Sequence, residues 1–170
     1  MIMKTKKQQL DLFDDNGAEF SADKKYRYAL WRIWDTSKPM LMFIGLNPST
    51  ANSQYEDPTI RRVKRFAHDW NYGGVYMMNL FSQVTSNPKE LVYGNDDIIA
   101  NNMWLDFHSR YCEKIIFAWG NFPQAQERGK IISNVFPKNK CYVLGLNKNG
   151  SPKHPLYIKA STVPVLFNGK

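Results

Sequence analysis

The sequence predicts an α/β protein with three layers, in which helices cover both faces of a central, mainly parallel four-stranded sheet that carries an N-terminal edge hairpin. Short apolar runs end abruptly at glycine or asparagine, and segments with helical apolar spacing separate them, as in parallel sheets with right-handed crossovers. With 170 residues, 43% of them hydrophobic, the chain can bury one core. We therefore expect a single domain over residues 23–170, preceded by a flexible tail over residues 1–22.

Composition limits the class of protein. There is no apolar run near eighteen residues and no charged start followed by an apolar stretch, so we expect a soluble, unsecreted, cytoplasmic protein without a membrane partner. Cys112 and Cys141 are far apart in sequence and have no Cys or His partner at metal-ligand spacing. We therefore expect reduced, buried thiols, no metal site and no cofactor. We also expect a monomer.

The charge balance favours a nucleic-acid partner. The formal net charge is +8 and the pI is about 9.5. Such a surface attracts phosphates, and the interleaved aromatic side chains can stack on bases, so DNA is the first partner to consider. The alternative is a basic protein that binds no nucleic acid.

The apolar run at 40–44 predicts a buried strand that delivers a loop at the edge where α/β sheets place their ligand sites. Gly45 permits close approach of a backbone or a ligand, and Pro48 ends the strand. Asn47 is the first polar side chain past the strand and should be held firmly. The alternative is an ordinary turn.

Before this run, residues 26–35 are rich in strand formers and lead through a turn cluster into it, which predicts an antiparallel edge hairpin. After it, Asp57 stands before a first-turn proline and predicts a helix start. Arg61 and Arg62 fall on the polar side of that helix, as a solvated basic face or as phosphate contacts.

A second apolar strand at 75–78 again delivers an asparagine, Asn79. Further on, a helix start at 87–90, a longer helix over 96–112 and another over 123–135 are predicted from capping signals and periodicity. The apolar positions of the longer helix include Ile99, Met103, Leu105 and Phe107.

A third strand is predicted at 114–120 and a fourth at 140–145, and His154 follows the fourth. Three loops therefore bring Asn47, Asn79 and His154 to one rim of the sheet. For His154 the alternative is an ordinary structural histidine.

The tail contains a short peptide, Gln9-Leu10-Asp11-Leu12-Phe13, that is similar to the pentapeptide with which many bacterial replication and repair proteins bind the sliding clamp. Leu12 and Phe13 would fill an apolar pocket, and Gln9 would hydrogen-bond at its rim. The resemblance implies a clamp partner. The alternative is that Leu10, Leu12 and Phe13 pack back onto the domain.

Four short motifs in order resemble the uracil-DNA glycosylase superfamily over about residues 40–158. They lie at 45–48, at Asn79, at 116–120 and at 154–155. The first motif, with Asn47, is similar to that of the mismatch-specific branch, which carries an asparagine where the classical uracil enzymes carry an aspartate. The chain is more similar still to the bacterial and viral family known as domain of unknown function 1643, which implies the bacterial or, for a virus, the host cytoplasm.

The superfamily resemblance implies roles for the rim residues. Asn47 would position the attacking water, and His154 would donate a hydrogen bond to the departing base. Asn79 would read the edge of a flipped base, together with Gly45 and Phe81.

Further residues belong to the implied site by the same resemblance. Asp57 is a candidate base by analogy, with a plain helix cap as the alternative. Contacts to DNA would come from Ser49, Arg61, Arg62, Lys153 and Tyr157, with Tyr157 stacking where the base has left.

The implied function is that of a DNA glycosylase-like hydrolase, tethered to the clamp, that cleaves the N-glycosidic bond of a flipped damaged, mismatched or modified base. One alternative is a non-catalytic DNA- or clamp-binding protein that keeps the fold. Another is a hydrolase or transferase acting on free nucleosides or nucleotides.

Overall fold

The computed structural model describes residues 15–52, 54–91 and 97–169. It confirms the α/β class, with a seven-stranded mixed sheet where the sequence predicts four central strands. The strands are β1 Asp15–Phe20, β2 Arg27–Ile33, β3 Met40–Gly45, β4 Gly74–Asn79, β5 Cys112–Phe117, β6 Cys141–Val143 and β7 Val165–Leu166. The helices of the described residues are α1 Pro58–Asp69, α2 Ile98–Ser109 and α3 Ala125–Ser133.

The strand order in the sheet is β1-β2-β4-β3-β5-β6-β7. The neighbours β4, β3, β5 and β6 pair in parallel. Antiparallel strands extend the sheet on both sides, β2 and β1 beyond β4 and β7 beyond β6. The sheet is mixed, with four parallel strands at its centre and antiparallel strands on both sides.

The edge hairpin differs from the predicted one. β2 does not pair with β3, to which the chain leads next; its antiparallel neighbours are β1 and β4. β1 lies within the segment that the sequence assigns to the tail, and its sequence, Asp-Asn-Gly-Ala-Glu-Phe, gives no apolar alternation. Gly17 pairs with Trp31, and a Cβ at Gly17 would stand 2.0 Å from the indole ring. The indole lies over β1 because that position has no side chain.

Two apolar clusters cover the two faces of the sheet. α1 buries Ile60, Val63, Phe66 and Ala67 against one face, and α2 and α3 pack on the other. Cys112 and Cys141 are buried and free, as the sequence predicts. Burial raises the pKa of the Cys112 thiol to about 12, so this thiol is protonated at neutral pH.

The ends of β3 and β4 determine where the site forms. Gly45 lies opposite Asn79 in the parallel pairing. The segments that follow β3 and β4 remain paired, because Phe81 N donates a hydrogen bond to Leu46 O at 2.9 Å. The loops after β3 and β4 therefore leave the sheet side by side. Among the described residues no helix is long and apolar enough to cross a membrane.

Candidate functional site

A cleft of about 200 Å³ opens at the carboxyl ends of β3 and β4, between the start of α1 and the turn at 154–157. Its lining includes most of the predicted site residues, namely Gly45, Asn47, Ser49, Asp57, Asn79, His154 and Tyr157. It is completed by Arg27, Leu46, Thr59, Ile60, Met77, Pro88 and Phe122. Side chains from distant parts of the sequence thus share one cavity.

Asn47 holds two loops together. Its Nδ2 donates to the carbonyl oxygens of Pro48 at 2.9 Å, Gln83 at 3.3 Å and Thr85 at 2.8 Å. No hydrogen bond within the described part of the chain uses its Oδ1. Asn47 can therefore meet a water molecule or a ligand as an acceptor only.

Asn79 is the last residue of β4 and is only 2% exposed. Its Oδ1 is buried and has no hydrogen-bond partner among the described residues. A Cβ at Gly45 would stand 2.9 Å from that oxygen and 2.6 Å from Met77 Cε. The glycine therefore leaves room for the Asn79 amide, whose unmet acceptor is suited to a ligand donor.

His154 begins a short 3-10 turn at the mouth of the cleft. Its Nδ1 accepts a hydrogen bond from Leu156 N at 3.3 Å, so we assign the proton to Nε2. Burial lowers the pKa of His154, while the charge of Asp57 opposes that shift. A neutral imidazole with an Nε2 donor is therefore the form expected at pH 7.

Tyr157 forms the outer wall of the cleft. Its ring centroid is 5.9 Å from that of His154, and its side chain is 85% exposed. An exposed aromatic ring beside a small cavity is available to stack on a base.

Asp57 is buried and uses both carboxylate oxygens. Oδ1 accepts from Ile60 N at 2.9 Å and caps α1, while Oδ2 accepts from Ser49 Oγ at 2.7 Å. The cap interpretation is thus confirmed. The same carboxylate also orients the Ser49 hydroxyl at the cleft wall, so Ser49 connects the cleft to a buried acid.

Two predicted site residues lie outside the cleft for different reasons. Phe81 belongs to the core and is 1% exposed, because its ring packs in the apolar cluster that α2 and α3 cover. Lys153 is exposed, and its backbone N–H donates to Gly145 O at 3.0 Å.

The two arginines of α1 also lie outside the cleft. Arg61 is exposed and donates from Nη1 to Glu56 O at 2.6 Å. Arg62 donates from Nη2 to Ile158 O, and its guanidinium lies 4.8 Å from the centre of the Phe66 ring. Arg62 therefore ties α1 to the segment after the 3-10 turn.

Arg27 is the charged cleft residue that sequence reasoning missed. It is the first residue of β2, is 3% exposed, and donates from Nη1 to Ala51 O at 2.6 Å. The available signal was a charged side chain in a strand that is mainly apolar apart from Arg27 and Arg32. Its relation to the cleft depends on the pairing of β2 with β4, which no local pattern gives.

The predicted clamp residues Gln9, Leu10, Leu12 and Phe13 lie outside the described residues. In the described ranges no group of three or more His, Cys, Asp or Glu side chains could hold a metal ion. The cleft therefore offers amide, imidazole, hydroxyl and guanidinium groups to a ligand.

Fold and cleft together define an α/β protein with a small cleft, lined by both polar and apolar side chains, at the carboxyl edge of its parallel strands. The chain belongs to the family described as "Protein of unknown function (DUF1643)", whose model matches residues 27–156. The match begins at Arg27 and ends one residue before Tyr157. No curated protein and no solved structure matches the chain. The likeness to uracil-DNA glycosylases rests on the motifs alone and stays a prediction.

Proposed function

We propose that the protein hydrolyses the N-glycosidic bond of a damaged, mismatched or modified base that has been flipped out of DNA. The observation that carries the proposal is that Asn47, Asn79 and His154, from three separate segments, line one small cleft. The net charge of +8 adds support, because such a charge attracts a polyanion.

In the proposed reaction, a water molecule held by Asn47 Oδ1 attacks the anomeric carbon of the sugar while the bond to the base nitrogen breaks. The base departs with the electron pair of that bond, and the Nε2–H of His154 donates a hydrogen bond to its oxygen. The proton lost by the water passes to Asp57 through the Ser49 hydroxyl. The base anion then takes a proton from solvent.

Recognition of the base falls to Asn79 in this proposal. Its amide carries a donor and an acceptor, and its Oδ1 has no hydrogen-bond partner among the described residues. A base edge that pairs with both groups is favoured over one that leaves them unmet. The unstacked base would be replaced in the duplex by Tyr157.

The test is a panel of duplexes, each with one uracil, mismatched or damaged base, assayed for free base and alkali-labile strands. We expect release from at least one member and a loss of about 100-fold or more in His154→Gln. Asn47→Asp keeps the shape of the side chain but loses the Nδ2 donors that hold the two loops together. The stability of this variant is therefore measured by unfolding alongside its activity. Lys130→Ala, on the exposed side of α3 and outside the cleft, is the control with unchanged release.

Two other outcomes decide between the alternatives. Binding of duplexes without release of any base, unaffected by Asn47→Ala, would identify a non-catalytic binding protein and contradict the proposal. Release from free nucleosides, with no activity on duplex DNA, would move the substrate class to small molecules.

We also propose that residues 9–13 tether the protein to a sliding clamp. The support is the match at every position of the pentapeptide and the start of β1 at Asp15, two residues beyond Phe13. We expect Leu12→Ala combined with Phe13→Ala to weaken binding to purified bacterial clamp at least about tenfold, as loss of anchor residues does. Gln8→Ala, just outside the peptide, is the control, and equal binding by both variants would overturn the proposal.

A further inference from the structure

Arg27 is a buried guanidinium with unused donors in the wall of the cleft. Among the described residues its guanidinium makes one hydrogen bond, from Nη1 to Ala51 O at 2.6 Å. Its Nε is fully buried and has no acceptor there. The edge formed by Nε and Nη2 is therefore unpaired.

Arg32, on the same strand and 1% exposed, shows what a structurally satisfied arginine looks like in this fold. Its Nε pairs with Glu56 at 3.0 Å, Nη1 donates to Trp31 O at 2.8 Å, and Nη2 donates to Asn52 O at 2.5 Å. Both arginines brace the loop after β3, but only Arg27 lines the cleft. Arg27 therefore differs from Arg32 in having an unpaired edge in the wall of the cleft.

Asp57 does not complete the pairing of Arg27. Both of its oxygens are occupied, by Ile60 N and by Ser49 Oγ, and no ion pair within 4.0 Å joins it to Arg27 in the described ranges. Burial lowers the pKa of Arg27 to about 10, with the Asp57 charge opposing the shift. The guanidinium is still charged at neutral pH, and a buried charge without a hydrogen-bonded anion is costly.

We propose that the Nε–Nη2 edge of Arg27 is an anion subsite of the cleft and takes two coplanar oxygens of a planar, negatively charged ring ligand. Two parallel N–H donors match such a group in a way that a lysine cannot. The apolar walls, which include Leu46, Met77 and Phe122, suit the faces of a flat ring. The volume of about 200 Å³ is below that of sites for drug-sized ligands, so the ligand is a single ring system.

The inference rests on the proposed function only for the identity of the ligand. In that reaction the base leaves as an anion, so Arg27 would stabilise its negative charge, while His154 donates from the mouth. Arg27 would then favour bases that leave as stable anions or carry an acidic substituent.

The experiment compares uracil with orotate, which is uracil bearing a carboxylate, by calorimetric titration of the full chain without DNA. We expect the wild-type protein to bind orotate at least about tenfold more tightly than uracil, as charge-assisted bidentate pairs do. Arg27→Gln should lose this preference, and Arg27→Lys should lose most of it while keeping a donor for Ala51 O. Arg32→Lys, on the same strand but outside the cleft, should retain it.

A measurement on the wild-type protein covers the case in which the Arg27 variants do not fold. The Nε–H resonance of Arg27 should shift on addition of orotate and stay in place with uracil. Equal affinities for the two ligands in the wild-type protein, a preference that survives in Arg27→Gln, or an unmoved resonance would each overturn the inference. Inorganic phosphate should displace orotate poorly. If phosphate competes as well as unlabelled orotate does, the inference that the ligand is planar is overturned.

Failure of the anion-subsite inference is distinguishable from failure of the proposed function. A protein that prefers orotate through Arg27 but releases no base from any duplex contradicts the proposed function alone. A protein that releases base equally well with Arg27→Gln, and shows no preference for orotate, contradicts this inference alone.

Discussion

Asp57 combines a structural and a chemical task in one side chain, and the two can be separated by a single-atom change. Asn and Asp are equally good N-caps, so Asp57→Asn keeps an acceptor for Ile60 N, but an amide cannot take a proton from Ser49. We expect Asp57→Asn to be less destabilising than Asp57→Ala by about 1 kcal/mol. We also expect it to lower base release by about 100-fold.

Urea unfolding gives the stability of both Asp57 variants, and the duplex assay gives their activity. Ser49→Ala removes the hydroxyl that relays the proton to Asp57 and leaves the cap on Ile60 N in place, so it should lower base release without the loss of stability expected for Asp57→Ala. Asp57→Asn with wild-type activity would mean that Asp57 is a helix cap and nothing more.

Elements with strong local signals were predictable. The start of α1 follows from Asp57 and Pro58. Of the apolar residues that follow at helical spacing, Trp70 is half-buried and the other four are buried, namely Ile60, Val63, Phe66 and Ala67. The ends of β3 and β4 were predictable for the same reason, since glycine and asparagine end apolar runs there. Asn47 and Asn79 could therefore be placed together from sequence.

The inward face of α2 was predicted wrongly. Of the apolar positions predicted for it, Ile99, Met103 and Phe107 are 78%, 68% and 49% exposed, whereas Leu105 is buried. A polar residue, Asn101, turns inward because its Nδ2 donates to Asn79 O at 3.1 Å and to Leu80 O at 3.0 Å. Apolar periodicity cannot reveal a helix face that is chosen by hydrogen bonds to a distant strand end.

The antiparallel additions to the sheet were beyond local patterns as well. The residue pattern predicts β2 as a strand, but the pairing of β2 with β1 and β4 depends on contacts between residues that are distant in sequence. The position of Arg27 in the cleft follows from that pairing. The amide and imidazole groups of the site were accordingly predictable, and its guanidinium was not.

Considered as a whole, the molecule holds two histidines, the buried His108 and the half-buried His154, whose neutral forms are favoured in the folded state. His108 lies beside the rings of Trp31, Tyr76 and Trp104, and neither of its buried nitrogens has a partner among the described residues. Burial lowers the pKa of His108 and of His154 from the ordinary value of 6.5. The folded state therefore binds fewer protons than the unfolded state just below that pH.

It follows that the free energy of unfolding should be at its full value above pH 6.5 and fall as the pH drops from 6.5 toward the folded pKa values. Carboxylates do not produce this fall, because the pKa values of Asp23, Asp35 and Glu56 are lowered, so that they lose their charge in a more acidic range.

Urea unfolding at pH 7.5, 6.5 and 5.5 measures the effect, and His108→Phe removes the larger part because it replaces the more deeply buried imidazole by an apolar ring. His154→Gln should flatten the profile less, since that ring is only half-buried. A profile that keeps its full slope in His108→Phe would mean that His108 takes up a proton without unfolding, which would require an acceptor for its N–H groups beyond the described part of the chain.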